Sequence, residues 1–407
     1  MGGLKQIVKN KPILMDLIYR IARFGVSIFS VFCPVNEESM MFVSLSGRNY
    51  DDSPKALYEY IKERPEFKDW TFYWGLIDSS HIRIPEAKII RFGTVKYWRT
   101  LLSSRVWIGN GGIDKGINFV RKQNLVVNTW HGTPMKKIEG EENSNQVLSR
   151  YRSSRPIDYH TIRCCQSEFD KEIFARVFRA DKNSFIMSGL PRNDGLLKYS
   201  EVDIKRIKLK LGLTKKRKVI LYVPTYREYL INSKKENFLK PPIDLRKWEN
   251  ELGEDYYLLI RAHYAVSASL GIQDNDFVRD VSSYSPLNDL YAVTDILISD
   301  YSSCFFDFSL LGRPMRCFAY DLERYENERG FYFNPEDYLP CPIHQKEEEL
   351  IDSIVNIDVE LDSKKTKEFA KLFIPNEGHA CEAVTEKLLE RLAMSKMEKN
   401  LDDNCRD

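Results

Sequence analysis

Apolar residues along this chain fall in short runs that end abruptly in polar or turn-forming residues, and between the runs they recur every three to four positions. The runs at 41–46, 70–77, 87–92, 105–109, 125–130, 159–166 and 185–188 predict strands, while 54–64, 95–103 and 167–178 predict helices. Ser53 reads as an N-cap with Pro54 at the first helical position, and Ser167 with Asp170 as a capping-box-like start. Strands alternating with helices predict a mostly parallel sheet.

The alternation restarts in the second half. Strands are expected at 219–223, 257–260, 296–298 and 315–319, and helices at 286–293, 303–311 and 347–355. Two further helical stretches, 364–373 and 380–397, close the chain, and no repeat of 20–50 residues interrupts the pattern. A linker is expected near 190–217, whose end carries Lys205, Arg206, Lys208, Lys210, Lys215, Lys216, Arg217 and Lys218. An exposed loop is expected at 232–242, from its lysines and the Pro241-Pro242 pair. The expected organisation is therefore an N-terminal helix over 1–36, one α/β domain over 37–200, a second over 201–375, and a helix and tail over 376–407.

Over 12–35, Asp16, Arg20 and Arg23 interrupt an otherwise apolar stretch, and no small-residue cleavage pattern follows Phe32. With Lys5, Lys9 and Lys11 before it, an interfacial amphipathic helix fits better than a membrane span or a leader peptide. The whole chain has 61 basic and 59 acidic residues, net +2, which excludes a globally basic nucleic-acid binder. Its 407 residues suffice for two domains with proper cores. The 8 cysteines lack any C-x-x-C pair and read as buried thiols of a reducing cytoplasm.

Candidate chemistry gathers at strand ends, where open α/β sheets bind ligands. His131, in Thr129-Trp-His-Gly-Thr-Pro134, suits a general base, because an imidazole accepts a proton from an alcohol near neutral pH. Thr133, Lys136 and Lys137 follow it in a phosphate-facing turn. Arg261 and His263 end a strand of the second half, a cation and a proton donor for phosphate oxygen or leaving group. Thr225 and Arg227 end another. Ser299-Asp300-Tyr301-Ser302-Ser303 precedes a helix whose N-terminus favours an anion, though a simple serine cap fits equally. Asp274-Asn275-Asp276 has the D-x-D form but sits in a polar turn, 271–276. No Cys/His set has zinc spacing, and no phosphate-loop or dinucleotide fingerprint is present.

Taken in order, these stretches resemble the CDP-glycerol glycerophosphotransferase family, which builds teichoic acids and related poly(polyol phosphate) polymers. The matching runs are Asp52-Ser-Pro-Lys-Ala-Leu-Tyr-Glu-Tyr60, the His131 stretch, Gly189-Leu-Pro-Arg-Asn-Asp194, Leu221-Tyr-Val-Pro-Thr225, His263-Tyr264, Ser299 to Ser303, Phe318-Ala-Tyr-Asp-Leu322 and Glu328-Arg-Gly-Phe-Tyr332. They span roughly 40–345. Leu190, Tyr226 and Cys304 depart from the family pattern, where an aromatic residue, a tryptophan and a small aliphatic residue are expected.

The resemblance implies a GT-B-like α/β fold, two Rossmann-type domains with parallel sheets facing across a cleft, the first on the acceptor side and the second holding the donor. It implies His131 and His263 as catalytic residues and Ser302 and Ser303 as pyrophosphate ligands. Thr225, Arg227, Arg261, Asp300 and Arg329 are the expected further donor contacts, and Thr133, Lys136, Arg192 and Asn193 the expected acceptor or phosphate contacts. By the same resemblance the expected donor is CDP-glycerol or CDP-ribitol, with no metal and no cofactor required. The expected acceptor is a lipid-linked polymer at the cytoplasmic face of an anionic membrane, to which the N-terminal helix and the basic cluster at 205–218 would attach peripherally, with solvated helix faces the equal alternative for the cluster; nucleic acid is not expected as a partner. Oligomeric state, single addition or polymerisation, and wall polymer or capsule stay open. A GT-B enzyme using a nucleotide sugar and a non-catalytic polymer-binding protein are the competing readings.

Overall fold

The computed structural model describes residues 12–143, 161–225, 227, 242–262 and 272–404. His263 with Tyr264, Tyr226, the loop at 232–241, Gly271, Lys5, Lys9, Lys11, His160 and Cys405 lie outside the described residues.

The chain divides into two compact units, Met1–His131 with Gln146–Gly195 and Asn376–Asp407, and Gly132–Asn145 with Leu196–Pro375. The first holds strands β1 (Asn36–Val43), β2 (Thr71–Leu76), β3 (Ala87–Arg91), β4 (Ser104–Gly109), β5 (Leu125–Asn128), β6 (Thr161–Cys164) and β7 (Phe185–Ile186), parallel in the order β3-β2-β1-β4-β5-β6-β7. Successive residues of a strand point to opposite faces, and here both faces are covered, so Met40 and Phe42 enter one core while Met41 and Val43 enter another. The first core takes Leu57, Tyr58 and Ile61 of the helix Asp52–Ile61 and Val384 and Leu388 of the helix Ala380–Asn404. The second takes Tyr97, Leu101 and Leu102 of the helix Val95–Ser103, with Val26 and Phe29 of the helix Pro12–Val31.

The second unit repeats the plan with β8 (Lys218–Val223), β9 (Tyr256–Ile260), β10 (Val278–Asp280), β11 (Ile296–Ser299), β12 (Met315–Phe318) and β13 (Ile343–His344), parallel in the order β10-β9-β8-β11-β12-β13. Trp248, Leu252, Leu350, Ile351 and Ile354 cover Ile220, Tyr222, Leu258, Ile260 and Ile298. In both sheets the order reverses beside the first strand, creating a topological switch point at the β1/β4 and β8/β11 carboxyl ends.

Some expectations shift. β1 ends at Val43, before the expected 41–46 run is complete, because Leu45 and Ser46 turn the chain with φ of 46° and 58°. The helix expected at 54–64 starts at Asp52 with Asp51 as N-cap, so Ser53 is not the cap; its hydroxyl instead accepts the Arg192 N–H. Ser167 does cap the helix Glu168–Phe178, accepting the Asp170 N–H. The expected linker contains the helices Pro191–Leu196 and Glu201–Lys210. The seven described cysteines are free and buried.

Candidate active site

At the carboxyl edge of the first sheet, β1 and β4 are tied together by Asn110, whose Oδ1 accepts the Leu45 N–H at 2.7 Å. The main-chain oxygen of Asn110 lies 3.0 Å from His131 Nδ1. A carbonyl only accepts, so in the neutral ring Nδ1 carries the proton and Nε2 the lone pair. One face of the imidazole is covered by the Trp130 ring, stacked at 4.1 Å and 28°. Trp130 leans in turn on Phe174 and Phe178, so the ring is fixed by packing as well as by hydrogen bonding. Around His131 the backbone takes left-handed values, φ 52° at Trp130 and 135° at Gly132, the second a conformation suited to glycine.

Arg192 reaches this same place. Its Nη1 donates to Asp52 Oδ2 at 2.9 Å and its Nη2 to the main-chain oxygen of His131 at 3.1 Å. Its neighbours in the Gly189 to Asp194 stretch face elsewhere. Asn193 is buried and donates to Gln166, and Asp194 accepts the N–H groups of Ala380 and Cys381 at the start of the C-terminal helix.

At the carboxyl edge of the second sheet the switch point is braced in a similar way. Asp300, fully buried, accepts the Thr225 N–H at 2.9 Å, and Ser299 Oγ donates to the Val223 carbonyl at 2.7 Å. Arg227 lies inside this frame rather than on its surface: its guanidinium donates to both Asp321 oxygens, to Asp300 Oδ2 and to the Thr225 carbonyl. Tyr301, Tyr320 and Tyr325 surround it, their ring centres 4.8 to 5.3 Å away. Burial, with Asp321 and Asp300 adding to it, pushes the Tyr301 hydroxyl far above its usual range, which keeps it a donor to Asp321 at 3.0 Å. The Tyr320 hydroxyl is pushed up to about 12, chiefly by burial.

Ser302 Oγ accepts the Cys304 N–H at 3.3 Å, whereas Ser303, at the N-cap position of the short helix Cys304–Ser309, makes no side-chain capping bond. Among the described residues the buried hydroxyl of Thr225 has no hydrogen-bond partner. Arg261 donates to the Tyr284 carbonyl.

The residues after His131 join the second unit. Lys136 pairs with Phe331 in an antiparallel bridge, Lys137 N donates to the Gly330 carbonyl at 2.9 Å, and Tyr332 N to that of Met135 at 3.0 Å. Arg329 Nη1 lies 3.8 Å from Glu142, and Thr133 is buried. The residues directly after the His131 stretch thus interlock with the Glu328 to Tyr332 stretch of the family resemblance. Asp276, of the D-x-D turn, pairs with Lys215 and Arg217, while Asp274 accepts the Asp280 N–H. Among the described residues no group of three or more His, Cys, Asp or Glu is placed to hold a metal ion.

Sequence reasoning passed over Asn110, Asp321 and the positioning part of Asp52. Asn110 had a legible signal, the Gly-Asn-Gly-Gly turn at 109–112 directly after a strand.

The family described as CDP-glycerol:poly(glycerophosphate) glycerophosphotransferase matches residues 26–390. A teichoic acid poly(glycerol phosphate) polymerase of Bacillus spizizenii is 30% identical over 94% of this chain and 100% of its own length. A polymerase of the same name from Staphylococcus epidermidis is 31% identical over 80% of this chain, which spans only 46% of that protein. A teichoic acid ribitol-phosphate primase of Bacillus spizizenii is 26% identical over 92% of this chain and 97% of its own length. Among solved structures, the wall teichoic acid polymerase TagF superposes with a TM-score of 0.80 at 26% identity, over 97% of this chain and 99% of that one. A histidine-to-asparagine variant of it has been soaked with CDPG. The fold is accordingly GT-B-like.

Proposed function

Since the chain belongs to the CDP-glycerol:poly(glycerophosphate) glycerophosphotransferase family, we propose that it transfers glycerol phosphate from CDP-glycerol to a hydroxyl of a lipid-linked acceptor, releasing CMP. The acceptor oxygen attacks the β-phosphorus, its proton passes to His131 Nε2, and the phosphorus–oxygen bond to CMP breaks with its electrons leaving on CMP.

The observation that carries this reading is the clamp on His131, whose Nδ1 proton is engaged by the Asn110 carbonyl. Ser302, Ser303 and Thr225 are assigned to the donor pyrophosphate, with Arg261 and His263 supplying positive charge. Arg227 and Asp300 are assigned to the frame beneath those contacts, since their charges already satisfy one another. Lys136 and Arg329 belong to the interlocked stretches and are assigned to phosphate on the same unit. Glycerol is favoured over ribitol by the greater identity to the glycerol-phosphate polymerases.

The N-terminal helix supports attachment to a bilayer surface. Leu17, Ile21, Phe24, Ile28 and Val31 form an apolar stripe at helical spacing, each more than half exposed. No described helix is long and apolar enough to cross a membrane. The basic cluster contributes less, because Arg206, Lys215 and Arg217 pair with Asp203 and Asp276 and Lys210 lies over the Tyr284 ring.

The test is CMP release from CDP-glycerol, CDP-ribitol and a UDP-sugar with a defined lipid-linked acceptor, followed by sizing of the product. CDP-glycerol is expected to react fastest. His131→Ala is expected to lower the acceptor-dependent rate by at least on the order of 100-fold; a wild-type rate from that variant overturns the base assignment.

A further inference from the structure

We propose that Arg192, held by Asp52, is a positioning residue for His131 and not a phosphate contact. The proposal rests on the reading of His131 as base.

The backbone around His131 is not one the chain adopts readily. Trp130 at φ 52° lies in the left-handed region, which for a large side chain carries a penalty of about 1–3 kcal/mol and persists only where surrounding structure enforces it. Packing of the Trp130 ring and the Asn110 carbonyl fix the imidazole. Arg192 fixes the peptide, through the bond from Nη2 to the His131 carbonyl.

The guanidinium is planar, with donors splayed in a fork, so one arm holds Asp52 while the other holds His131. An ammonium group has no such fork. Asp52 and Arg192 are each about one-seventh exposed, 14% and 13% for their side chains, so their pairing is shielded more than a surface bridge. Asp52 itself is fixed at the start of the helix Asp52–Ile61 by an N–H to Asp51 Oδ1 and has a left-handed φ of 62°. The Arg192 N–H donates to Ser53 of the same helix. A carboxylate 2.9 Å from the guanidinium neutralises most of the attraction an incoming phosphate would feel.

Two stretches distant in sequence therefore converge on the His131 carbonyl, Arg192 directly and Asp52 with Ser53 through Arg192. Without the tether the left-handed backbone at Trp130 loses one restraint and relaxes toward ordinary φ, swinging the adjoining imidazole off the line to the acceptor oxygen. Misplacement by about 1 Å is enough to lower a rate on the order of 100-fold.

The experiment is steady-state CMP release by the full chain, varying donor and acceptor separately, for Arg192→Ala, Arg192→Lys, Asp52→Asn, His131→Ala and His131→Ala/Arg192→Ala. Arg192→Ala is expected to lower kcat on the order of 100-fold with both KM values unchanged, and guanidinium added to the assay restores part of the loss. Arg192→Lys loses kcat likewise, Asp52→Asn falls between, and the double variant is no slower than His131→Ala alone. A raised acceptor KM with kcat intact in Arg192→Ala overturns the proposal, as does additive loss in the double variant. A full rate from His131→Ala strikes instead at the base reading. Asp52→Asn, which changes no volume, carries the test if Arg192→Ala does not fold.

Discussion

Arg227 shows how far a residue's role depends on partners remote in sequence. It follows a strand and looks like a phosphate ligand, yet Asp300 and Asp321 lie 73 and 94 positions away and meet it inside the second unit. With 3% of the Arg227 side chain exposed and none of Asp300, removing the cation leaves the buried Asp300 carboxylate uncompensated. Arg227→Met is therefore expected to destabilise the fold by about 3–5 kcal/mol, measured by urea denaturation. Replacing Asp300 by Asn in that variant is expected to recover part of the loss, because one uncompensated charge is then gone. His131 was legible, since a histidine between Trp130 and Gly132 at the end of an apolar run is a local signal. Arg192 was legible as a functional residue of its stretch, but its target was not: Asp52 is 140 positions away and the His131 carbonyl 61.

For whole elements, the strands with apolar cores were legible because a buried parallel strand is a nearly continuous apolar run. The helices Val95–Ser103 and Glu347–Val355 fall where the periodicity puts them. The helix Glu201–Lys210 was read as part of a linker because only Ile207 among its residues is buried, leaving little periodic signal. The helix Leu245–Leu252 escaped for the same reason, burying only Trp248 and Leu252. β10 and β13 are three and two residues long and carry no alternation to read. The C-terminal helix has a start set from outside it, by Asp194. Asp194→Ala removes acceptors for two N–H groups at once and is expected to destabilise the first unit by about 1–2 kcal/mol, with faster amide exchange in the first turn after Ala380. Unchanged exchange there contradicts the capping role.

At the scale of the whole molecule, the apolar stripe of the N-terminal helix departs from an ordinary protein surface. Ile21→Glu with Phe24→Glu is expected to abolish flotation with anionic liposomes while leaving thermal stability unchanged, since both side chains are more than 60% exposed. Retained flotation removes the helix as the anchor. The alternation of strands and helices made two α/β domains legible, and the length of the terminal helix suggested that it packs back across the other domain; after Pro375 the chain does return to the first unit. That return has a consequence for synthesis. On a translating ribosome the second unit has its last residue before the first does, so the core that takes Cys381, Val384 and Leu388 is the last to be completed. The half that begins first is finished last, and its unfinished core is where a chaperone would be needed.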